Sequence, residues 1–464
     1  MAVHPATDTI AAIATAPGTG GIGIIRISGP DALPLLHQIF IPYKTPPQFI
    51  SHRLYYGTVN NKAGQVLDET LAVYMRAPHT YTCEDVVELH CHGSYVVLQQ
   101  VLRTVLEFGA RSAEQGEFTK RAFLGGRIDL TRAEAVVDLL QAQTEKGAQL
   151  AASQLQGALF THLEEVRHQL IQILALLEVA IDFPDDDVEI VQRDQVLVQL
   201  REHIIAPLEH LLAMADQGRI VREGIKVVLA GQPNVGKSSL LNAFLQEERA
   251  LVTSVPGTTR DTIEEQFVIR GIPVHLIDTA GIRKHEDPIE ALGIERARQK
   301  MQQADLILFL VDAMAGLGPA EQELYQTISD KAHVVVINKS DLVETWQIAG
   351  IVNAFPGVAV VPISAKHQQG IQELLECIYQ STIGNGGAEL CEQMNCAPNT
   401  RHKAILSKTL AACRSLKSAI HDGAPVDLLA VEVQSALDYL GDITGLTTPD
   451  DVLDLVFSQF CIGK

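Results

Sequence analysis

A glycine-rich stretch, GQPNVGKS at residues 231–238, has the GxxxxGK[ST] spacing that binds phosphate groups. It follows an apolar run typical of a strand and precedes a helical pattern, which is the context this motif requires. Its glycines allow backbone N–H groups to surround phosphate oxygens. Lys237 can reach the β- and γ-phosphates of a nucleoside triphosphate, and the Ser238 hydroxyl can bind Mg²⁺. The stretch therefore predicts a nucleotide site.

Two further motifs favour guanine as the base. NKSD, residues 338–341, follows a second apolar run, and the Asp341 carboxylate can accept hydrogen bonds from N1–H and the 2-amino group of guanine. Adenine offers neither donor. SAK, residues 364–366, follows the next predicted strand, where backbone N–H groups can meet the 6-oxo oxygen. Together the motifs predict GTP rather than ATP as the ligand.

Two more segments are typical of switch loops. DTAG, residues 278–281, offers a carboxylate near Mg²⁺ and a glycine N–H for the γ-phosphate, and GTTRD, residues 257–261, offers Thr259 as a second metal ligand. We expect these loops to order with GTP and to relax after hydrolysis. The predicted GTP-binding residues are Gly231, Asn234, Val235, Gly236, Lys237, Ser238, Ser239, Thr253, Ser254, Val255, Pro256, Gly257, Thr258, Thr259, Asp278, Thr279, Ala280, Gly281, Asn338, Lys339, Asp341, Ser364 and Ala365.

Ile282 follows Gly281, at the position where Ras-like proteins carry a glutamine that orients the attacking water. An aliphatic side chain cannot position water. Hydrolysis must therefore use an arginine finger, a bound cation or an acid from the segment IRKHEDPIEALGIERA, residues 282–297.

Cys461 lies in the final stretch FCIGK, which raises a choice between a prenylation box and a reactive thiol. Gly463 and Lys464 fit a prenylation box poorly, and no basic cluster lies beside it. We expect a reactive thiol held at a site. A buried structural cysteine is the remaining alternative.

The elements that position these residues change along the chain. Residues 1–120 combine strand-like runs such as GIGIIRIS, LYYGTV and LAVYMRAP with the amphipathic stretch SYVVLQQVLRTVLEFG, which indicates an α+β domain. Residues 121–218 are helical, residues 219–380 alternate buried strands with helices as in a parallel doubly wound α/β sheet, and residues 381–464 return to helical periodicity after the break IGNGGAEL. We predict a discontinuous α-helical domain into which the nucleotide unit is inserted.

The composition limits the binding partners and the cellular location that we expect for the protein. The 464 residues include 36 Lys and Arg against 56 Asp and Glu, a net charge of −20, which disfavours a broad nucleic-acid surface or binding to anionic lipid. Any RNA contact is expected to be local or supplied by a partner. The seven cysteines form no CxxC pair, and no apolar run reaches the ~18 residues of a membrane span. These features predict a cytoplasmic protein without membrane association.

Taken together, the motifs resemble those of the MnmE (TrmE) family of tRNA-modification GTPases over nearly the whole chain. The resemblance rests on DTIAAIATAPGTGGIGIIRISG, GEFTKRAFLGGRIDLTRAEA, IDFPDDD, PGTTRD, LGDITG and FCIGK. It implies a multidomain protein: an N-terminal α+β folate-binding domain that dimerises, a discontinuous α-helical domain and an inserted α/β Ras-like G domain.

The resemblance also implies a site for a reduced folate at Arg26, Glu88, Arg127 and Lys464. A pterin ring pairs with a carboxylate, and the glutamate tail of folate attracts cations. The family usually has Asn at Gly125 and Lys at Arg127, so the charge is retained.

For hydrolysis, the resemblance implies a potassium ion held through Asn234, Thr253, Val255 and Thr258, beside Mg²⁺ held by Ser238 and Thr259. A monovalent cation there would neutralise transition-state charge as an arginine finger does. The resemblance further implies that Glu290 orients the water, a role that spacing alone cannot distinguish from Glu286 or Glu295.

The implied activity is GTP hydrolysis coupled to tRNA modification. With a flavin- and NADH-dependent MnmG-type partner in a heterotetramer, the family adds an aminomethyl or carboxymethylaminomethyl group to carbon 5 of the wobble uridine. A 5-formyl- or methylene-tetrahydrofolate serves as its one-carbon donor. The Cys461 thiolate would attack carbon 6 of the uridine or handle the one-carbon unit, and the sequence does not choose between these roles.

Two alternatives share the same G-domain motifs. One is a regulatory GTPase of ribosome assembly or signalling, and the other is a folate enzyme under GTPase control with a substrate other than RNA. His90 and His92 share one face of a predicted strand, but a pair of histidines without further ligands is more typical of a structural role than of a metal site.

Overall fold

The computed structural model describes residues 8–44, 48–183, 192–247, 264–278, 301–302 and 304–464. The chain forms two compact units. The first comprises Met1–Val137, Leu155–Arg193 and Ser415–Lys464, and the second comprises Asp138–Gln154 and Asp194–Arg414.

The described part of the chain contains strands in both units and helices throughout. The strands are β1 (Ile10–Ile13), β2 (Gly20–Ser28), β3 (Phe40–Pro42), β4 (Arg53–Asn60), β5 (Val66–Met75), β6 (Val86–Gly93), β7 (Arg111–Ser112), β8 (Ile225–Ala230), β9 (Glu264–Ile269), β10 (Ile272–Asp278), β11 (Leu306–Asp312), β12 (His333–Asn338) and β13 (Val360–Pro362). The α-helices are α1 (Ala32–Ile39), α2 (Tyr95–Glu107), α3 (Glu117–Leu124), α4 (Leu130–Gln141), α5 (Glu145–Leu155), α6 (Ala158–Asp182), α7 (Arg193–Gln199), α8 (Ala206–Glu223), α9 (Lys237–Glu247), α10 (Pro319–Gln326), α11 (Thr345–Val352), α12 (Ile371–Gln393), α13 (Thr400–His421), α14 (Val426–Thr444) and α15 (Asp450–Phe457). A π-helix (Leu200–Ile205) joins α7 to α8, and a short 3-10 helix spans Ser340–Leu342.

The first unit contains a sheet in the order β3-β4-β5-β6-β2-β1-β7, antiparallel except for the pairing of β1 with β7. Alternate residues point to opposite faces of each strand. Ile25, Ile27, Val87 and Leu89 are buried on the inner face in one cluster with residues of α1 and α2. The predicted α+β domain is confirmed, and the outer face carries Arg26 and Glu88.

A pair of long helices adds a second core to this unit. The buried residues of α6 are Leu159, Leu163, Val166, Leu170, Ile173 and Leu177, and those of α14 include Leu429, Val433, Ala436, Leu440 and Ile443. The spacing alternates between three and four residues, as in coiled-coil seams, and α6 packs against α14. The two helices come from distant segments, as a discontinuous helical domain requires.

The second unit contains a sheet in the order β13-β12-β11-β8-β10-β9. The strands β8, β10, β11, β12 and β13 run parallel within the region predicted to alternate buried strands with helices, so the α/β prediction is confirmed. The sequence analysis missed β9, which pairs antiparallel with β10 through a turn at Arg270 and Gly271, both at positive φ. Such a two-residue turn is typical of a hairpin, so an edge strand extends the parallel sheet.

The break that the sequence analysis expected at IGNGGAEL, residues 383–390, lies inside α12. This element spans Ile371–Gln393, and the helix before the break extends slightly past the predicted end near Gln380. Gly384 has the non-helical angles φ 69° and ψ 168°, so the glycine-rich stretch produces a kink inside this element. In the part of the chain that the structure describes, no helix is both long and apolar enough to cross a membrane.

Candidate functional site

The phosphate loop joins β8 to α9 and has the backbone that its glycines allow. Gly236 has φ 98°, and a Cβ at this position would lie 2.1 Å from the Asn338 amide nitrogen. Asn234 also lies in the left-handed region, at φ 64°. Lys237 is buried and donates hydrogen bonds to the carbonyls of Gly231 and Gln232, each at 2.8 Å. Lys237 therefore lies across the phosphate loop, where its ammonium group would contact the phosphates of a bound nucleotide.

Asn338 joins three segments around the predicted base site. Its Nδ2 donates to the Val235 carbonyl at 2.8 Å, which connects β12 to the phosphate loop. Its Oδ1 accepts hydrogen bonds from the backbone N–H of Lys339 at 2.8 Å and of Ala365 at 3.1 Å. The amide is buried, so these bonds satisfy groups that would be costly to leave unpaired. The first residue of NKSD thus brings the SAK segment to the phosphate loop.

Lys339 makes a contact that the sequence analysis missed. Its Nζ donates to the Asn234 carbonyl at 3.0 Å and to Asp312 Oδ2 at 2.6 Å. Asp312 ends β11, and its Oδ1 accepts the N–H of Met314 at 2.9 Å. Burial disfavours the ionised form of Asp312, but the hydrogen bond and charge of Lys339, together with the N–H groups of Met314 and Ala315, outweigh burial and lower the pKa of this carboxyl. The sequence carried one signal for this contact, because Asp312 ends a strand of the parallel sheet next to the strand that ends at NKSD.

Asp341, predicted to recognise guanine, is held in the ionised form. A hydrogen bond from the Ser364 hydroxyl lowers the pKa of Asp341, and burial only partly opposes this effect. His367 Nε2 lies 3.6 Å from Asp341 Oδ2. Asp341 of NKSD and Ser364 of SAK therefore lie together, as expected of two motifs that contact the same base.

The structure describes only part of the predicted GTP site. Ser238 and Ser239 are exposed in the first turn of α9, and Asp278 ends β10. The remaining predicted residues lie outside the described ranges: Thr253, Ser254, Val255, Pro256, Gly257, Thr258, Thr259, Thr279, Ala280, Gly281, Ile282 and Glu290. Their roles stay predictions.

A second group of predicted residues meets on the outer face of the first unit's sheet. Arg26 and Glu88 are opposite each other on β2 and β6, and Arg26 Nε donates to Glu88 Oε1 at 2.8 Å. Arg26 Nη1 also faces the Gly463 carbonyl at 3.4 Å. The structure thus brings the FCIGK segment beside two of the four predicted folate residues.

Tyr81 links the third of these residues to the group, and the sequence analysis missed it. The Arg127 Nη1 donates to the Tyr81 carbonyl at 2.9 Å, and the guanidinium carbons of Arg127 and Arg26 lie 4.9 and 5.5 Å from the centre of the Tyr81 ring. The Tyr81 hydroxyl is 3.0 Å from Thr119 Oγ1. Two cations and an aromatic ring therefore converge near the Glu88 carboxylate.

An ionic network around the buried Arg121 guanidinium holds the segment that carries Tyr81. Arg121 donates to Glu84 at 3.1 Å, to Glu117 at 2.9 Å and to Asp8 at 2.8 Å, and Glu84 also accepts the Ser28 hydroxyl at 2.7 Å. The sequence indicates only one contact of this network, the ion pair between Glu117 and Arg121, because these residues are four positions apart on α3. Removing one partner of such a buried group leaves the others uncompensated, so the network fixes the segment before β6.

The thiols differ sharply in environment. Burial raises the pKa of Cys91 and of Cys413 to about 12 and that of Cys396 to about 11. Cys461 is exposed, whereas these three are buried. Buried thiols with such raised pKa values are inert. The exposure of Cys461 is therefore more typical of a reactive thiol than of a buried structural cysteine.

His90 and His92 each have a carboxylate neighbour on the sheet. His90 Nε2 is 3.4 Å from Glu88 Oε2, and His92 Nδ1 is 2.7 Å from Asp68 Oδ1, a contact that raises the pKa of His92. Within the described ranges, no group of three or more His, Cys, Asp or Glu side chains is arranged to hold a metal ion.

Comparisons with known proteins cover nearly the whole chain. The family described as "MnmE helical domain" matches residues 130–461, and "GTP-binding protein TrmE N-terminus" matches residues 9–127. The tRNA modification GTPase MnmE of Desulfotalea psychrophila is 51% identical over 98% of both chains, and that of Geobacter metallireducens is 46% identical over 98% of this chain and 99% of its own. Among solved structures, Aquifex aeolicus Era Y63A bound to GDP and AlF4⁻ is 30% identical over 34% of this chain and 56% of its own, with a TM-score of 0.29.

Proposed function

Because the chain belongs to the MnmE family, we propose that it is a GTP hydrolase that acts in tRNA modification at carbon 5 of the wobble uridine. One observation carries the proposal: a relative named tRNA modification GTPase is 51% identical over 98% of both chains. A match of that extent spans the N-terminal, helical and nucleotide-binding parts together. The activity is therefore assigned to the whole architecture rather than to the G domain alone.

The described half of the nucleotide site supports GTP as the ligand. Asn338 ties the phosphate loop to the SAK segment, and Ser364 keeps Asp341 ionised to accept the two guanine donors. Ser238 would hold Mg²⁺ from the first turn of α9, with Thr259 as its second protein ligand. The proposal includes a potassium ion bound by Asn234 with Thr253, Val255 and Thr258, and water oriented by Glu290.

The group around Tyr81 supports a reduced folate as the second cofactor. Folate combines an aromatic pterin that bears hydrogen-bond donors with an anionic glutamate tail, and the residues present match these features. Glu88 offers the carboxylate, Tyr81 the ring, and Arg127 and Lys464 the cations, while Arg26 orients Glu88. When bound, the reduced folate would supply a one-carbon unit. The chain's own residues bind and orient it beside the Cys461 thiol.

The proposed partners follow from the chemistry. The C5 modification involves redox steps that the described residues do not supply, so the proposal includes an MnmG-type flavoprotein in a heterotetramer. That partner would also supply the broad tRNA contacts that a net charge of −20 disfavours on this chain. Because the substrate is tRNA, the proposed location is the cytoplasm.

A homodimer is the proposed state of the chain itself. The outer face of the first unit's sheet exposes large apolar side chains on or beside β3, β4 and β5: Ile41, Tyr43, Leu54, Tyr56 and Leu71. The Tyr43 and Tyr56 rings are 4.9 Å apart, and Tyr56 is opposite Leu71 across the strands. Both tyrosines also hydrogen-bond the Glu69 carboxylate. Exposed apolar side chains grouped in this way are typical of an interface between protein subunits.

Nucleoside analysis of tRNA from cells that lack the gene tests the function. We expect loss of the C5 modification of wobble uridine and its return when the gene is restored. Unaltered wobble uridines would contradict the proposal and favour the regulatory GTPase instead. A changed folate pool with normal tRNA would favour the folate enzyme with another substrate.

A further inference from the structure

The segment Cys461–Lys464 lies against strands β1 and β2 of the first unit. Ile462 forms an antiparallel bridge with Gln115, and the Cys461 carbonyl accepts the Gly116 N–H at 3.5 Å. Gly463 has φ 95°, and a Cβ at this position would lie 2.3 Å from the Ile13 carbonyl oxygen. The segment therefore passes so close to β1 that only glycine fits there.

Arg26 is the side chain on β2 that reaches this segment. Its guanidinium donates from Nε to Glu88 and from Nη1 toward the Gly463 carbonyl, 437 residues away in sequence. The Tyr81 ring lies 5.5 Å and the Phe118 ring 5.8 Å from its central carbon. These rings and the carboxylate hold the guanidinium in one orientation, so its second donor group points at the segment that carries Cys461.

We propose that Arg26 is a positioning residue for the reaction: it fastens the backbone at Gly463 to strand β2 and thereby sets where the Cys461 thiol lies. This role differs from the direct folate contact that the family resemblance implies for Arg26. It rests on the proposed function only in assigning a reaction to Cys461.

The geometry requires a guanidinium. Its planar fork carries several donors in fixed directions, so one side chain can bond a carboxylate and a carbonyl at once. Glutamine retains bulk but loses the charge and the fixed fork, so it cannot bond Glu88 and the Gly463 carbonyl at once. Loss of the bond to Gly463 would free the segment while the bridge between Gln115 and Ile462 remains as a weak attachment.

Amide hydrogen exchange on the full-length protein tests the attachment. The two test variants are Arg26→Gln and Gly463→Ala, which disturb the contact from opposite sides. We expect amides of residues 461–464, and of Gly116, to exchange about tenfold faster in each variant. The matched controls are Arg103→Gln, on the exposed side of α2, and Gly21→Ala, where a Cβ has open space. They should exchange like the parent protein.

The second measurement asks whether the attachment matters for the reaction. With the flavoprotein partner and tRNA, both test variants should lower kcat for C5 modification about tenfold and leave KM for tRNA nearly unchanged, because the thiol is misplaced rather than the substrate lost. Unchanged exchange at residues 461–464 would overturn the proposal, as would faster exchange with normal kcat. If the parent protein itself modifies no tRNA, the proposed function fails, and the exchange data still decide whether Arg26 holds the segment.

Discussion

At the scale of single residues, the nucleotide site depends on side chains that fix other side chains. Asn338 and Asp312 face no predicted hydrogen-bond donor of guanine, yet each determines where a residue of NKSD or SAK lies. The ionised state of Asp312 is secured because its pKa is lowered. The contact with Lys339 is therefore fully present above the ordinary value of 3.8 and is lost only as the pH falls further.

Replacing Asp312 with asparagine tests this arrangement. Asp312→Asn should weaken GTP and GDP binding about fivefold, since Lys339 loses its charged partner in a partly exposed site where solvent screens part of the interaction. The measurement is calorimetry with each nucleotide. Asp330→Asn, at an exposed position of the same unit, serves as the control. Affinity equal to that of the parent protein would show that Lys339 is held by the Asn234 carbonyl alone.

Asn234 carries the potassium prediction. Ile282 cannot orient water, and of the three substitutes left open, an arginine finger, a cation or an acid, the proposal takes a cation near the phosphates. GTP hydrolysis should then be faster in K⁺ than in Na⁺. Asn234→Ala should remove most of this stimulation, whereas Asn353→Ala, at the exposed end of α11, should retain it. Steady-state phosphate release in the two salts measures the effect. Equal rates in both salts for the parent protein, under conditions that let G domains pair, would contradict the cation.

Cys461 is the residue to which the modification chemistry is assigned. Cys461→Ser should retain folding, GTP hydrolysis and folate binding but abolish wobble-uridine modification, because a hydroxyl is a far weaker nucleophile than a thiolate at neutral pH. Cys377→Ser, a half-buried thiol of the other unit, should modify tRNA normally. Nucleoside profiles from cells that carry each variant measure the outcome. Normal modified-uridine levels with Cys461→Ser would eliminate the catalytic thiol.

At the scale of elements, the sequence analysis did best where chemistry and spacing are local. The phosphate loop, NKSD and the five parallel strands all arise within short windows, so residue type and order predict them. The contacts that it missed join distant parts of the chain: Lys339 to Asp312 across 27 residues and Arg26 to Gly463 across 437. Pairings of that kind depend on how strands and helices pack, which no single window records.

Helices α6 and α14 illustrate an element-scale dependence that can be measured. Leu440 is buried on the inner face of α14, and Leu440→Ala should cost about 2 to 5 kcal/mol of local stability by leaving a cavity. Leu428→Ala, on the exposed side of the same helix, should cost about 0.5 kcal/mol or less. Because the chain has two units, hydrogen exchange of α6 and α14 is a better measure than a single melting temperature. Equal protection in both variants would show that the seam does not depend on Leu440.

At the scale of the whole molecule, the outer face of the first unit's sheet combines two features. Toward β4 and β5 it exposes apolar side chains, and at β2 and β6 it carries Arg26 and Glu88. The inner face of the same strands is covered by α1 and α2. The apolar part of the outer face is exposed to solvent in a single chain. A second copy on the apolar part would bury it beside the proposed folate site of each chain.

The dimer prediction follows from this face. Placing a lysine at either Tyr56 or Leu71, which are opposite each other on β4 and β5, would bury charge in a self-complementary interface and should yield monomers. Tyr56→Lys and Leu71→Lys should each shift the sedimentation mass from two chains to one at about 10 µM, a loss of at least about tenfold in dimer affinity. Val431→Lys, at an equally exposed apolar position on α14, should remain dimeric and controls for added charge. A parent protein that sediments as one chain, or lysine variants that stay paired, would assign the dimer contact to another surface.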